Sequence, residues 1–200
     1  MSDNSFAIPW CENDKLRLWL TRFIASGSTG SVWQCRFNTS YDSLAAKIVE
    51  VLRPSDTENR QRLRNELKIY LILDEAYQSG RLRDRVAPRC YGAFEGSNMV
   101  ILILDLCDSI LNSWGDLSAS ERYVAEIMSN SCSYNMISCR SDVYKLVQAL
   151  HSIGVVHEDL EPRNIVRTHG GGFLLIDFSE SRKHVCKESK VQYMDTWLYE

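Results

Sequence analysis

The sequence predicts an α+β fold in which an antiparallel sheet precedes a mainly helical region, and three observations carry that reading. Apolar and β-branched runs around residues 20–25, 31–37 and 43–51, bounded by glycine and polar residues, have the composition of half-buried strands. From Thr57 to Gln78 one long stretch places Leu63, Leu67, Tyr70 and Leu71 at helical spacing. Further on, Val143, Leu146, Val147 and Leu150 occupy i, i+3, i+4 and i+7, so a second helix has one apolar face.

Taken in order, Leu16-Arg17-Leu18-Trp19-Leu20 leads into the first strands, and Phe23 to Val32 forms a small-residue connection through Ala25, Ser26, Gly27, Ser28, Thr29, Gly30 and Ser31. Small side chains let backbone N–H groups approach an anion. Leu44-Ala45-Ala46-Lys47-Ile48-Val49 is an apolar strand with a lysine inside it. Such a lysine is costly unless paired, and Glu66 on the following helix is the natural partner. The plainer reading puts Lys47 on an edge with its head in water and Glu66 on a solvated helix face.

Pro88 to Glu95 and Met99 to Asp105 read as a hairpin turning at Gly96-Ser97-Asn98. Its second strand is apolar throughout, as a strand buried on both faces should be. Ser118-Ala119-Ser120-Glu121 is a capping box for a helix reaching about Met128. The polar and thiol-rich stretch near 129–140 then breaks helical patterning and reads as an insertion. Ser141-Asp142 caps the next helix. Ile165-Val166-Arg167, His169-Gly170-Gly171-Gly172 and Phe173-Leu174-Leu175-Ile176 read as strand, turn and strand. That hairpin brings the polar loops on either side of it together.

Those loops carry the chemistry. His157-Glu158-Asp159-Leu160-Glu161-Pro162-Arg163-Asn164 sets Asp159 and Asn164 five apart, and Asp177-Phe178-Ser179 follows 18 residues after Asp159. Together with the Gly27–Gly30 loop, Lys47 and Glu66, in this order, they resemble the protein kinase family. The resemblance implies a bilobal protein-kinase-like fold, with an N-lobe at about 16–104, a hinge at 105–108 and a shortened, mainly helical C-lobe at about 109–200. It also implies roles. Asp159 accepts the proton of the acceptor hydroxyl, Asn164 and Asp177 hold Mg²⁺, and Lys47 contacts the ATP phosphates while paired with Glu66. Ile24, Gly27, Gly30, Val32, Ala45, Lys47, Asp105 and Cys107 bind the nucleotide, with Leu104 beside the adenine pocket. His157 packs and hydrogen-bonds beneath the loop.

Several positions depart from the family pattern. Ala25 stands where the first glycine of the phosphate loop is usual, which stiffens it. Glu158 replaces a common arginine, so regulation by a phosphate read at that position is not expected. Glu161 replaces a lysine that neutralises the transferred phosphate, and its charge repels that phosphate. Arg163 resembles the arginine of tyrosine kinases and can offset Glu161. Ser179 replaces the glycine of D-F-G and restricts the backbone there. Only 21 residues follow Ser179. The expectation is either a truncated product or a minimal kinase with a reduced substrate platform, its Arg182–Lys187 segment solvated.

Composition is consistent with this reading. Net charge of −3 gives no sign of a nucleic-acid or membrane-surface binder. No apolar run reaches the ~18 residues of a membrane span, and seven cysteines without a C-x-x-C pair suggest thiols in a reducing compartment. Cytoplasm or nucleus is the expected location. The expected function is an ATP-dependent protein kinase acting on an unidentified protein substrate, similar to small, atypical fungal-type kinases. A pseudokinase and a small-molecule phosphotransferase are the alternatives.

Overall fold

The computed structural model describes residues 5–7, 17–27, 29–37, 43–53, 56–96, 98–113 and 142–184. The expected capping box at Ser118–Glu121 with its helix, the insertion near 129–140, the Ser141 cap and the segment after His184 lie outside the described residues.

Strands β1 (Ser5–Ala7), β2 (Arg17–Gly27), β3 (Gly30–Phe37), β4 (Leu44–Glu50), β5 (Cys90–Glu95) and β6 (Met99–Asp105) form one antiparallel sheet. Its order is β1-β2-β3-β4-β6-β5, which makes β4 central and disposes of an edge position for Lys47. Strand periodicity then sorts the residues. Lys47 is paired with Val32 and with Leu102, and Ala45 with Leu104, so these five share one face. The other face carries Leu44, Ala46, Ile48, Ile101 and Ile103, packed with Leu18 and Cys35 into a separate core. β6 is buried along Val100–Leu104, as its unbroken apolar run requires. β2 is longer than its sequence pattern suggests. Register shifts between Leu20 and Arg22 and between Phe23 and Ala25 interrupt its alternation and hide its length.

Helix α1 (Thr57–Gln78) buries Leu63, Glu66, Ile69, Tyr70, Leu73 and Ala76 along one stripe. Asp56 accepts hydrogen bonds from the N–H groups of Leu52 (3.1 Å) and Arg53 (2.8 Å), which closes the turn into the helix. Gly80, at φ +75°, ends it by donating to Tyr77 O at 3.1 Å.

The second half contains β7 (Ser109–Ile110), α2 (Asp142–Ser152), β8 (Val155–Val156), a 3₁₀ turn (Pro162–Asn164), β9 (Ile165–Arg167), β10 (Phe173–Leu175) and β11 (Arg182–Lys183). β10, β9 and β7 form a small sheet and β11 pairs with β8. The buried face of α2 is Val143, Leu146, Val147 and Leu150. These four join Leu63, Tyr70, Leu102, Leu104 and Phe178 in a core that runs from the upper sheet into the lower half. β10 stops at Leu175 because the Ile176 N–H leaves the ladder to donate to Asn164 O at 2.9 Å.

Arg182 and Lys183 are exposed to solvent as expected, and they also pair with β8 as the strand β11. The His184 N–H donates to Gly154 O at 2.7 Å, and Arg182 Nη2 lies 2.8 Å from Glu158 Oε1. Among the described residues no helix is long and apolar enough to cross a membrane. Cys35, Cys90 and Cys107 are free thiols.

Candidate active site

Both loops of the site are anchored from below by aromatic packing. His157 follows β8, is buried, and donates from Nε2 to Ile176 O at 3.0 Å. Its ring lies 5.0 Å from that of Phe178, and Phe178 meets Tyr70 of α1 edge-on at 5.2 Å. Burial holds the His157 pKa below that of a free histidine, although the Ile176 carbonyl opposes the shift. The ring is therefore neutral at pH 7, a packing element of the kind expected.

Backbone strain sits beside each loop's acidic group. Glu158 (φ +67°) and Asp177 (φ +61°) are left-handed residues other than glycine, a conformation that surrounding contacts must hold. For Glu158 one such contact is the bridge to Arg182. In the loop itself Pro162 starts the 3₁₀ turn, whose geometry sends the Asn164 side chain inward to 3% exposure. Asn164 Nδ2 donates to Asp159 O at 2.8 Å and to Asp159 Oδ2 at 2.9 Å. Arg163 Nη2 approaches both carboxylate oxygens of Asp159, at 3.2 and 3.3 Å, while its Nη1 contacts the Glu161 carboxylate. Arg163 is thus shared between Asp159 and Glu161, one positive charge against two carboxylates, and the Glu161 charge is paired beside Asp159.

Lys47 is 8% exposed and joins the sheet to both other parts, its Nζ standing 2.8 Å from Glu66 Oε2 and 2.8 Å from Asp177 Oδ1. Burial lowers the Lys47 pKa, but the two carboxylates outweigh it and leave the ammonium firmly charged. Burial raises that of Glu66, which Lys47 opposes. For Asp177 burial also acts upward, but Lys47 and hydrogen bonds from Ser179 hold the carboxyl below its ordinary value. Ser179 thus supports the ionised state of Asp177.

The residues assigned to nucleotide binding lie on the sheet strands and at the end of β6. Val32 and Ala45 flank Lys47 on its face of the sheet, while Ile24 sits, exposed, at the bulge in β2. Gly27 and Gly30 pair at the tip of the β2–β3 hairpin. A Cβ on Gly30 (φ +153°) would lie 2.2 Å from Ile48 O, whereas one on Gly27 would meet nothing within 4 Å. At the end of β6, the Asp105 N–H donates to Arg89 O at 3.0 Å and its carboxylate accepts from Tyr91 Oη at 2.8 Å. The same carboxylate also accepts from the Arg89 N–H at 3.3 Å, so that side chain is engaged with the start of β5 and the residue before it. Burial, aided by Asp105, pushes the Cys107 thiol up to about 11, which leaves it protonated.

Mg²⁺ fits the donor set. The cation is commonly held by one or two carboxylates plus substrate phosphates instead of an all-protein cage. Asp177 is an ionised carboxylate, and Asn164, its amide nitrogen committed to Asp159, keeps its amide oxygen as a hard donor. Four contacts escaped sequence reasoning. Asn65 Nδ2 donates to Ser179 O (2.9 Å) and Ser181 O (2.8 Å), Ser181 Oγ donates to His157 O (2.9 Å), and Arg182 meets Glu158. Each joins segments far apart in the chain, and no local pattern marks them.

A lysine buried between helix and loop carboxylates, beside an aspartate–asparagine loop joined by hydrogen bonds, is the arrangement of charged groups that phosphotransferase folds share. Residues 20–199 match the family model described as Protein kinase domain, and the chain belongs to that family, with its bilobal fold and small helical C-lobe. Protein kinase PINOID 2 of Arabidopsis thaliana is 27% identical over 169 residues, covering 82% of this chain and 29% of that protein. Phototropin-2 of Oryza sativa subsp. japonica is 27% identical over 172 residues, covering 83% and 17%. Ribosomal protein S6 kinase 2 beta of Xenopus laevis is 25% identical over 177 residues, covering 88% and 26%. The chain spans less than a third of the length of these relatives.

Proposed function

We propose that the chain is an ATP-dependent protein kinase that transfers the γ-phosphoryl group to a protein hydroxyl and uses Mg²⁺. The observation that carries this reading is the convergence of Lys47, Glu66 and Asp177 in one ion-paired cluster, beside a loop in which Asn164 orients Asp159. In this reading Glu66 aims Lys47 at the phosphates and Asp159 takes up the proton of the acceptor hydroxyl. Asn164 and Asp177 hold the metal, which when bound neutralises charge on the phosphates. Val32 and Ala45 cover the base, and the backbone at Asp105 and Cys107 meets its edge. Arg163, shared between Asp159 and Glu161, offsets part of the negative charge that Glu161 adds.

A pseudokinase is not favoured, because each of these groups is retained and ordered. The Glu158, Glu161 and Ser179 variants are the basis for placing the chain with small, atypical fungal-type kinases. Its free thiols suit the cytoplasm or nucleus. The test is transfer of radiolabelled γ-phosphate, with Mg²⁺, to the chain itself or to casein, compared with Asp159→Asn. Transfer by the wild type and at least a hundredfold less by the variant is the expected result. No transfer by either, with ATP bound, would reject the reading.

A further inference from the structure

Asn65 stands one residue before Glu66 on α1, roughly 100° around the helix from it. Its two carboxamide protons reach Ser179 O at 2.9 Å and Ser181 O at 2.8 Å, across more than a hundred residues of chain. Ser181 is 2% exposed and its Oγ donates to His157 O, so the segment gripped by Asn65 is tied in turn to the Asp159 loop. On the neighbouring turn Arg62 approaches Glu180 at 3.4 Å, and the Phe178 backbone hydrogen-bonds to the Glu66 carboxylate. Both Asn65 bonds are lost if α1 moves away from this segment, and Glu66, on the next residue of the helix, moves with it.

We propose that Asn65 is a positioning residue. It clamps α1 to the chain following Asp177, and so holds Glu66, Lys47 and Asp177 in register for phosphoryl transfer. The clamp needs a donor with two protons in one plane, which asparagine has and aspartate lacks. Its catalytic consequence rests on the kinase reading above; the clamp itself does not.

The experiment compares the full chain with Asn65→Asp, which keeps the shape and loses both donors, and with Asn65→Ala. Two net hydrogen bonds correspond to a change on the order of thirtyfold. Backbone hydrogen exchange of residues 177–184, well below the melting temperature, is therefore expected to accelerate by about that factor in Asn65→Asp. With casein as acceptor, kcat/KM for ATP should fall tenfold or more while KM for casein stays unchanged. A merely stabilising side chain would not produce that split. Unchanged exchange overturns the clamp, and faster exchange with unchanged kinetics overturns the positioning role.

If the wild type transfers nothing, the proposed function fails while the exchange comparison still decides the clamp. If neither variant folds, the Asn65 carboxamide protons of the wild type decide it by NMR. Protection from exchange supports the clamp, and exchange as fast as an exposed carboxamide overturns it.

Discussion

Lys47→Met should separate what the buried ion cluster does for stability from what it does for nucleotide. At 2.8 Å each carboxylate attracts the ammonium by about 6 kcal/mol at an effective dielectric constant near 20, before desolvation is counted. Desolvation cancels much of this, and measured losses on removing one partner of a buried pair are about 3–5 kcal/mol. Glu66 is 1% exposed, so without Lys47 its charge has no refuge except a proton. Its pKa, already raised by burial, rises further in the variant. Between 4.5 and that raised value the folded state binds a proton that the unfolded state does not, so stability falls as pH rises.

The melting temperature of Lys47→Met should therefore lie about 10 °C below wild type at pH 8, with a smaller deficit at pH 5.5. Lys47→Met combined with Glu66→Leu should recover most of that loss, since an apolar residue replaces the stranded charge. The stabilisation conferred by ATP and Mg²⁺ should stay absent from both variants. Thermal unfolding by circular dichroism, with and without ATP–Mg²⁺, reads all of this. A pH-independent deficit, or a double variant no more stable than the single, would refute the reasoning.

Asp177→Asn should abolish the Mg²⁺-dependent part of ATP binding, measured by titration calorimetry, while Lys47 keeps Glu66. Equal ATP affinity with and without Mg²⁺ in the wild type would contradict the metal assignment. Glu161→Lys should raise kcat by no more than about tenfold, because Glu161 is half exposed and already paired with Arg163. An equal kcat in Glu161→Lys, together with no loss in Arg163→Ala, would place both side chains away from the phosphate. Stability should fall as pH drops below about 6.5, because the unfolded chain protonates His157 while the folded chain, with its lowered pKa, resists. The slope is up to about 1.4 kcal/mol per pH unit. Urea unfolding of His157→Gln between pH 7.5 and 5.5 should show a slope reduced by one proton, and an unchanged slope would show that His157 is not responsible.

Legibility followed the range of the interactions. The buried run of β6 and the apolar stripe of α2 stand where their patterns put them. Helix α1 has the expected bounds, but Leu71 of its expected stripe is 57% exposed, and Ile69 and Leu73 face the core instead. β1, β7, β8 and β11 are two or three residues long, too short to have a period. The site was legible where it follows contiguous motifs. Lys47 and Glu66 could be matched because an unpaired lysine in an apolar strand demands a partner. Arg163 answering Glu161 was visible two residues away. Glu158 looked like the loss of a basic group, and its bridge to Arg182 emerged only once β11 lay beside β8. The Asn65 clamp depends on backbone carbonyls, which every residue carries and no sequence pattern distinguishes.

The two glycines of the β2–β3 tip are unequal as experimental handles. A side chain at Gly30 must displace the backbone of β4 at Ile48, one residue from Lys47, so lost nucleotide affinity in such a variant would report a distorted sheet. Gly27 opens onto empty space. Alanine there adds a methyl group without touching the protein, and any change in ATP affinity measures how closely the phosphates approach the hairpin. A reader of mutational data on this chain should weigh position 27 as a gauge of ligand distance and position 30 as a gauge of folding.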